Sequence, residues 1–171
     1  MSDPLRASLY AFNLIQKKRK KVEGAPKPAL ARKVARVGVV GAGLMASQLA
    51  LLLVRNLKCP VVMTDIDQER ADKGVAWVKG ELNKLVEKKR MSAESAHRLS
   101  QLVTGSSDQN VFAGCDFIIE AIFEELSLKQ ELFKKLEKIV GPECILATNT
   151  SSLLVERMSE GLDHPERVRS E

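Results

Sequence analysis

The sequence predicts an α/β protein built on a doubly wound, mostly parallel sheet, and three observations support this fold class. Short runs of β-branched and apolar residues alternate with longer segments of helical periodicity, which is the order of βαβ units. A glycine-rich turn joins the first of these runs to the first helix. The chain has 171 residues, of which 44% are hydrophobic, and this suffices for the core of one domain with a short extension.

The N-terminal extension, residues 1–35, is predicted to be separate from the domain of residues 36–171. Leu5, Leu9 and Phe12 recur at helical spacing and indicate a short amphipathic linker helix. A stretch of Gly, Ala and Pro then breaks this helix. The expected organisation is therefore a linker helix and a basic, proline-containing linker, followed by one domain.

The positive charge of the chain belongs to this extension. It holds nine Lys and Arg residues against two acids, a net charge of +7, whereas the rest of the chain carries −2. The basic run at positions 17–21 could bind nucleic acid or act as an import signal. Because no aromatic residues interleave with it, we favour a solvated charged segment and predict no nucleic-acid partner.

The glycine turn follows a predicted strand at residues 37–40, whose valines suit burial on both faces of a sheet. Gly41 allows the chain to turn sharply out of this strand. Gly43 has no Cβ, so a pyrophosphate could approach the main chain there. Ala46 is small enough for the next helix, residues 44 to about 55, to pack close to the sheet. The first amides of that helix would face the phosphates.

An acidic residue ends the second predicted strand. Asp65 lies 22 residues after Gly43, near the separation expected for the carboxylate that binds the adenosine ribose. Strand, glycine turn, helix, strand and acid together indicate a Rossmann dinucleotide-binding unit. Asp65 favours NAD over NADP because it would repel a 2′-phosphate, although Ala46 also occurs in NADP-binding proteins. The alternative is a glycine-rich turn that binds nothing.

A helical hairpin is predicted between the second and third strands. One apolar stripe runs from about residue 67 to residue 89, which at 1.5 Å per residue is roughly 35 Å. Ser92 can cap a second helix over residues 93–99. Two antiparallel helices here would form an arm projecting from the sheet. The stripe consists of Ala71, Val75, Val78, Leu82 and Leu85.

Further strands are predicted at residues 102–104, 117–120 and 145–148, with a helix starting near Leu126. The segments after the last two strands would lie at the carboxyl edge of the sheet, where open α/β sheets bind ligands. Their polar residues could instead serve the helices. In that alternative Ser151 or Ser152 is an N-cap, and the acids at positions 124 and 125 favour a helix dipole.

The three cysteines, Cys59, Cys115 and Cys144, are far apart and lack metal-ligand spacing. They predict buried, reduced thiols and no metal site. No apolar run approaches the roughly 20 residues that a membrane helix needs, and no signal-peptide pattern is present. We therefore expect no membrane span and favour the bacterial cytoplasm, with an organellar matrix as the alternative.

Three ordered motifs resemble those of L-3-hydroxyacyl-CoA dehydrogenases, which oxidise the hydroxyl of 3-hydroxyacyl-CoA with NAD in fatty acid β-oxidation. They are residues 37–45 (Val-Gly-Val-Val-Gly-Ala-Gly-Leu-Met), 116–124 (Asp-Phe-Ile-Ile-Glu-Ala-Ile-Phe-Glu) and 149–153 (Asn-Thr-Ser-Ser-Leu). The extension also resembles the linker of multifunctional β-oxidation proteins, where an enoyl-CoA hydratase domain comes first. The resemblance implies NAD as cofactor, 3-hydroxyacyl-CoA as substrate, and both a hydratase domain and a C-terminal helical domain as partners.

The resemblance also implies roles for individual residues. The pyrophosphate turn would include Gly41, Gly43, Leu44 and Met45, and Asp65 would bind the ribose. Further contacts to NAD would come from Ala121, Glu124, Lys129, Asn149 and Ser151. Ser151 would in addition orient the substrate hydroxyl. Lys84 and Lys88 share a helix face and could meet the phosphates of CoA, the alternative being an ordinary solvated lysine face.

The chain departs from the family pattern at two places. Ala46 replaces the usual glycine. The resemblance further implies that the chain ends before the strand that leads to the catalytic histidine, since His97 and His164 do not match that position. We therefore expect an NAD-binding fragment that is inactive alone. The alternatives are a non-catalytic NAD-sensing or partner-docking module, and a dehydrogenase of other small hydroxy acids.

Overall fold

The structure is a computed structural model that describes residues 32–170. The predicted linker helix and the basic run at positions 17–21 lie outside the described residues.

The sheet confirms the predicted fold class. Within residues 32–170 it has six strands, and all its neighbouring pairs are parallel. The strands are β1 Val37–Val40, β2 Val61–Thr64, β3 Val103–Ser106, β4 Phe117–Glu120, β5 Ile145–Thr148 and β6 Val168–Ser170. Their order in the sheet is β3-β2-β1-β4-β5-β6, so the chain winds outward from β1 to one side and then from β4 to the other.

Within residues 32–170 the helices are α1 Leu44–Leu57, α2 Gln68–Glu87, α3 Ala93–Gln101, α4 Leu126–Ile139 and α5 Val155–Met158, with 3-10 turns at Gln109–Phe112 and Pro165–Arg167. The first four agree closely with the predicted segments, whereas α5 was not predicted. Two of these helices start at a side-chain cap. Asp67 accepts a hydrogen bond from the Arg70 amide at 2.8 Å at the start of α2, and Ser92 accepts one from the Ser95 amide at 3.2 Å at the start of α3.

The central strand β1 is buried on both faces, as its valines predict. Val37 and Val39 pack in the core formed with α1, α2 and α3, whereas Val40 packs in the opposite core. Gly38 lies between them, and a Cβ built there would be 2.6 Å from the ring of Phe112. Because Phe112 is fully buried, its ring can pack against position 38 only if that residue is glycine.

The predicted helical hairpin is present as α2 and α3. The stripe of α2 is buried from Ala71 to Leu82, and α3 adds Ala96 to the same core. A Cβ at Gly105 of β3 would be 3.0 Å from the carbonyl oxygen of Ala71, so α2 lies directly against the sheet at its first turn. The first helix of the hairpin is therefore part of the sheet's covering layer as well as of the arm.

The prediction that the chain ends before the strand after Arg167 is wrong. Residues Val168–Ser170 form β6, and Val168 pairs with Leu146 of β5. Arg167 secures the entry to this strand by donating hydrogen bonds to the carbonyl oxygens of Gly141 at 2.6 Å and Cys144 at 3.1 Å. A strand with one buried apolar residue gives no periodic signal, and its position is determined by the neighbouring strand.

The three cysteine thiols are buried. Burial raises the pKa of the Cys59 thiol, and it raises the pKa of the Cys115 thiol to about 11 although the nearby Arg36 guanidinium acts in the opposite direction. Over residues 32–170, no group of His, Cys, Asp and Glu is arranged to hold a metal ion. None of the helices in the same range combines the length and the apolar character needed to cross a bilayer.

Candidate functional site

The turn after β1 requires glycine at its first position. Gly41 has φ of 109°, and a Cβ there would be 2.7 Å from the carbonyl oxygen of Ala121. Its amide donates a hydrogen bond to the carbonyl oxygen of Thr64 at 2.7 Å. The end of β1 is thus held between the end of β2 and the start of the loop after β4.

The main chain of the turn is exposed at Gly43. Gly43 is exposed, and a Cβ built on it would meet nothing within 4 Å. Gly43 is also the N-cap of α1, so no side chain caps the helix, and the first turn contains no acidic residue. Leu44 and Met45 are 63% and 53% exposed, whereas Ala46 is fully buried. This is the arrangement in which the positive end of a helix binds an anion.

Asp65 lies beside this turn with its carboxylate fixed by the main chain. Its Oδ2 accepts a hydrogen bond from the Ala42 amide at 2.7 Å, and its Oδ1 accepts one from the Ile66 amide at 2.8 Å. An ionised carboxylate has about four lone-pair positions, so acceptor capacity remains. The group is half-buried at the carboxyl end of β2.

Gly74 of α2 packs closely against Ala42 of the turn. A Cβ there would be 2.7 Å from the Ala42 Cβ and 3.0 Å from the Ala42 carbonyl oxygen. This contact was not predicted from the sequence. A signal was available, because glycine inside a helix costs about 1 kcal/mol relative to alanine and therefore indicates a packing constraint.

A second polar cluster lies at the ends of β4 and β5. Glu120 is fully buried, and its two carboxylate oxygens accept hydrogen bonds from the Lys129 ammonium at 2.7 and 2.8 Å. The Thr148 hydroxyl donates to Glu120 Oε2 at 2.6 Å, and the Ile122 amide donates to Oε1 at 2.7 Å. No separate role was predicted for Glu120, although a carboxylate at the end of an apolar strand indicates an acid that is buried only if it is paired.

Lys129 is buried, and this differs from the direct contact with NAD that the resemblance implies. Its side chain is only 1% exposed, and its ammonium is enclosed by Glu120 and by Glu124 Oε2 at 3.4 Å. Glu124 is the exposed member of the cluster, and its Oε1 accepts a hydrogen bond from the Ser152 hydroxyl at 2.6 Å. That hydrogen bond, followed by the charge of Lys129, lowers the pKa of the Glu124 carboxyl.

Asn149 and Ser151 follow β5 and are exposed at the same carboxyl edge. The backbone N–H of Asn149 donates a hydrogen bond to the backbone carbonyl oxygen of Glu120 at 2.9 Å. The alternative that Ser151 or Ser152 caps a helix is wrong, because α5 begins only at Val155 and its N-cap is Leu154. Ala121 also lies here, since its amide donates to the Val40 carbonyl oxygen at 2.9 Å.

Lys84 and Lys88 lie elsewhere. They are at the end of α2, roughly 25 Å along the helix from its start beside Asp65. Both are exposed, and Lys84 forms an ion pair with Glu81 at 2.6 Å that raises the lysine pKa. His164 precedes β6 and is therefore at the amino edge of the sheet.

Residues 36–170 match the protein-family model for the NAD-binding domain of 3-hydroxyacyl-CoA dehydrogenase. The chain belongs to this family. NAD is the cofactor that defines the domain, in agreement with the expectation from Asp65.

Curated relatives of this NAD-binding domain include multifunctional proteins of fatty acid β-oxidation. The peroxisomal protein MFP2 of Arabidopsis thaliana is 35% identical over 137 residues, which are 80% of this chain and 19% of that protein. The peroxisomal protein AIM1 of Arabidopsis thaliana is 32% identical over 170 residues, 98% of this chain and 23% of that protein. The chain therefore spans about a fifth of the length of these relatives.

Solved structures share the fold of the NAD-binding domain. The 3-hydroxybutyryl-CoA dehydrogenase of Escherichia coli K12 superposes with a TM-score of 0.78 and 29% identity, covering 81% of this chain and 29% of that chain. The (S)-3-hydroxybutyryl-CoA dehydrogenase PaaH1 of Ralstonia eutropha superposes with a TM-score of 0.75 and 30% identity, covering 80% of this chain and 48% of that chain.

Proposed function

We propose that the domain binds NAD at the carboxyl edge of its sheet and serves as the cofactor-binding part of a longer L-3-hydroxyacyl-CoA dehydrogenase of fatty acid β-oxidation. The observation that carries this proposal is the hydrogen bond from the Ala42 amide to Asp65, which holds a carboxylate next to the open main chain at Gly43. A diphosphate and an adenosine ribose need those two groups side by side.

The adenosine side of the proposed site is formed by the turn from Gly41 to Met45 and by Asp65. The free N-terminal amides of α1 would hold the diphosphate, and the remaining lone pairs of Asp65 would accept hydrogen bonds from the ribose hydroxyls. A phosphate on the 2′-hydroxyl would meet the Asp65 charge at close range, so we expect selectivity for NAD over NADP.

The nicotinamide side would be formed by Ala121, Glu124, Asn149 and Ser151, which share the neighbouring strand ends. Because the Lys129 ammonium is enclosed, we propose that it acts on the cofactor through Glu124. This assignment keeps the buried ion pair intact and leaves the exposed carboxylate of Glu124 as the contacting group.

In the proposed reaction, bound NAD would accept a hydride from C3 of the 3-hydroxyacyl chain. The residues of this chain would position the two reactants: Ser151 would donate or accept a hydrogen bond at the substrate hydroxyl, and the exposed ammonium groups of Lys84 and Lys88 remain candidates for the CoA phosphates. The general base is expected from another part of the longer protein. Since loss of a general base costs about 10²–10⁴-fold, we expect this chain to bind NAD without useful turnover.

We propose an upstream hydratase domain and a C-terminal helical domain as the partners within that longer protein, in line with the multifunctional relatives. The buried thiols favour a compartment that keeps cysteines reduced, such as the bacterial cytoplasm or an organellar matrix. The relatives named above are peroxisomal, which supports the organellar choice.

Isothermal titration of the chain with NAD and with NADP tests the proposal. We expect saturable binding of NAD and affinity for NADP that is lower by about tenfold or more, as for the loss of one charge-assisted contact. Equal affinities for the two dinucleotides, or no binding of either, would contradict it.

A further inference from the structure

A continuous series of charged and polar contacts links the buried end of β4 to the exposed loop after β5. It starts at Glu120, passes through the Lys129 ammonium to Glu124, and ends at the Ser152 hydroxyl, with Thr148 as a second donor to Glu120. We call these five residues the Glu120 network.

The position of the Glu120 carboxylate is determined by four hydrogen bonds from three directions. Each of its oxygens accepts one hydrogen bond from Lys129, and each accepts one more, from the Ile122 amide or the Thr148 hydroxyl. Two of the three N–H groups of Lys129 are thereby directed toward Glu120. The ammonium is also 3.4 Å from Glu124 Oε2. Because the Glu120 carboxylate is held by four hydrogen bonds, it fixes the position of the Lys129 ammonium, and the ammonium in turn fixes the position of the Glu124 carboxylate.

Stability alone explains this pair poorly. Removing two charges from water is costly, and apolar side chains of similar volume often stabilise a core equally well or better. The network ends at groups that are exposed: the Glu124 side chain is 46% exposed, and Ser152 is exposed beside Ser151. A buried ion pair that leads to a surface carboxylate at a ligand-binding edge is suited to fixing the position of that carboxylate.

We propose that Glu120 is a positioning residue for the nicotinamide side of the site. Through Lys129 it fixes the Glu124 carboxylate, and through the Glu124–Ser152 hydrogen bond it fixes the 149–153 loop. This inference rests on the proposed function. It adds that the buried carboxylate controls affinity for the nicotinamide half of the cofactor while the adenosine half, held by Asp65 and the glycine turn, is independent of it.

The test compares binding of NAD with binding of ADP, which lacks the nicotinamide half. In Glu120→Gln we expect affinity for NAD to fall about tenfold, because the charge that fixes Lys129 is lost, and affinity for ADP to stay within about twofold. Glu125→Gln is the matched control. Glu125 is an exposed carboxylate in the same loop, bonded to the Ser127 hydroxyl at 2.8 Å, and we expect its substitution to change neither affinity.

The double variant Glu120→Gln/Lys129→Met separates positioning from folding. Glu120→Gln leaves the Lys129 charge buried without its main partner and should lower the melting temperature, whereas the double variant removes that charge and should recover it. We expect NAD affinity to stay low in the double variant because Glu124 remains unfixed. Recovery of NAD affinity together with stability, or a parallel loss for NAD and ADP, would overturn the inference. Wild-type protein that binds neither NAD nor ADP would instead refute the proposed function itself.

Discussion

The Asp65 carboxylate and the Ala42 amide, 23 residues apart in the chain, are joined by a hydrogen bond of 2.7 Å. This contact connects the end of β2 to the turn after β1. The group proposed to select the cofactor is therefore also part of the turn that would hold the diphosphate.

Asp65→Asn separates these two roles. The amide oxygen of asparagine can still accept the hydrogen bond from Ala42, so the turn should keep this contact while the charge and the second hydrogen bond, from the Ile66 amide, are lost. We expect NAD to bind about tenfold more weakly and the preference over NADP to disappear, as measured by titration calorimetry. Asp72→Asn is the control, since Asp72 is exposed on α2 and accepts a hydrogen bond from the Gln68 side chain at 2.8 Å. Retained discrimination in Asp65→Asn would be evidence against the ribose assignment.

The two glycines of the turn should respond differently to alanine. At Gly43 the added methyl group meets no protein atom, so Gly43→Ala should cost less than about 1 kcal/mol of stability while it blocks the approach of a diphosphate. At Gly41 the positive φ and the 2.7 Å contact with Ala121 should destabilise the fold by about 1–3 kcal/mol. Thermal melts with and without NAD distinguish the two effects. A Gly43→Ala protein with wild-type affinity would exclude the turn as the diphosphate site.

Gly38→Ala should be destabilising because its methyl group would be 2.6 Å from Phe112. Overpacking of this kind typically costs 1–3 kcal/mol, so we expect a loss of about that size in urea unfolding. Combining it with Phe112→Leu should give a double variant more stable than the sum of the single changes predicts, by at least about 0.5 kcal/mol. Gly141→Ala, whose methyl group would meet nothing within 4 Å, should be nearly neutral. Strict additivity of Gly38→Ala and Phe112→Leu would show that the ring does not restrict the strand.

Cys115 should make stability decrease in alkaline solution. Its pKa is raised from 9.0 to about 11, chiefly by burial, so the folded protein retains a proton that the unfolded chain releases. The contribution to stability is complete below pH 9 and is lost as the pH rises to about 11. Denaturation curves of wild-type protein and Cys115→Ala across this range should differ in slope, with the variant the flatter. Identical slopes would mean that the thiol titrates normally.

The sequence predicted the parts of the site that follow from local rules. A sharp turn needs glycine at position 41, and a strand that ends in an acid placed Asp65 correctly beside it. The starts of α2 and α3 were equally predictable from the sequence, because the side chains of Asp67 and Ser92 cap them.

Contacts that depend on how one element packs against another were not predictable in this way. Glu120 and Lys129 form an ion pair only because α4 packs over the end of β4, and the resemblance identified the lysine without indicating its burial. Ser152 fits the local rule for a helix N-cap. In the structure its hydroxyl instead donates a hydrogen bond to Glu124, 28 residues earlier in the chain. β6 is too short to have a pattern, and its partner β5 determines its course.

Gly74 has a consequence for protein engineering. It leaves no room for a methyl group between α2 and Ala42. The shape of the loop at Ala42 therefore depends in part on a buried residue of α2. A library that randomises only solvent-accessible positions would overlook it. Changes at position 74 are expected to displace the loop through Ala42, and so to change coenzyme preference without substituting any residue proposed to contact the coenzyme.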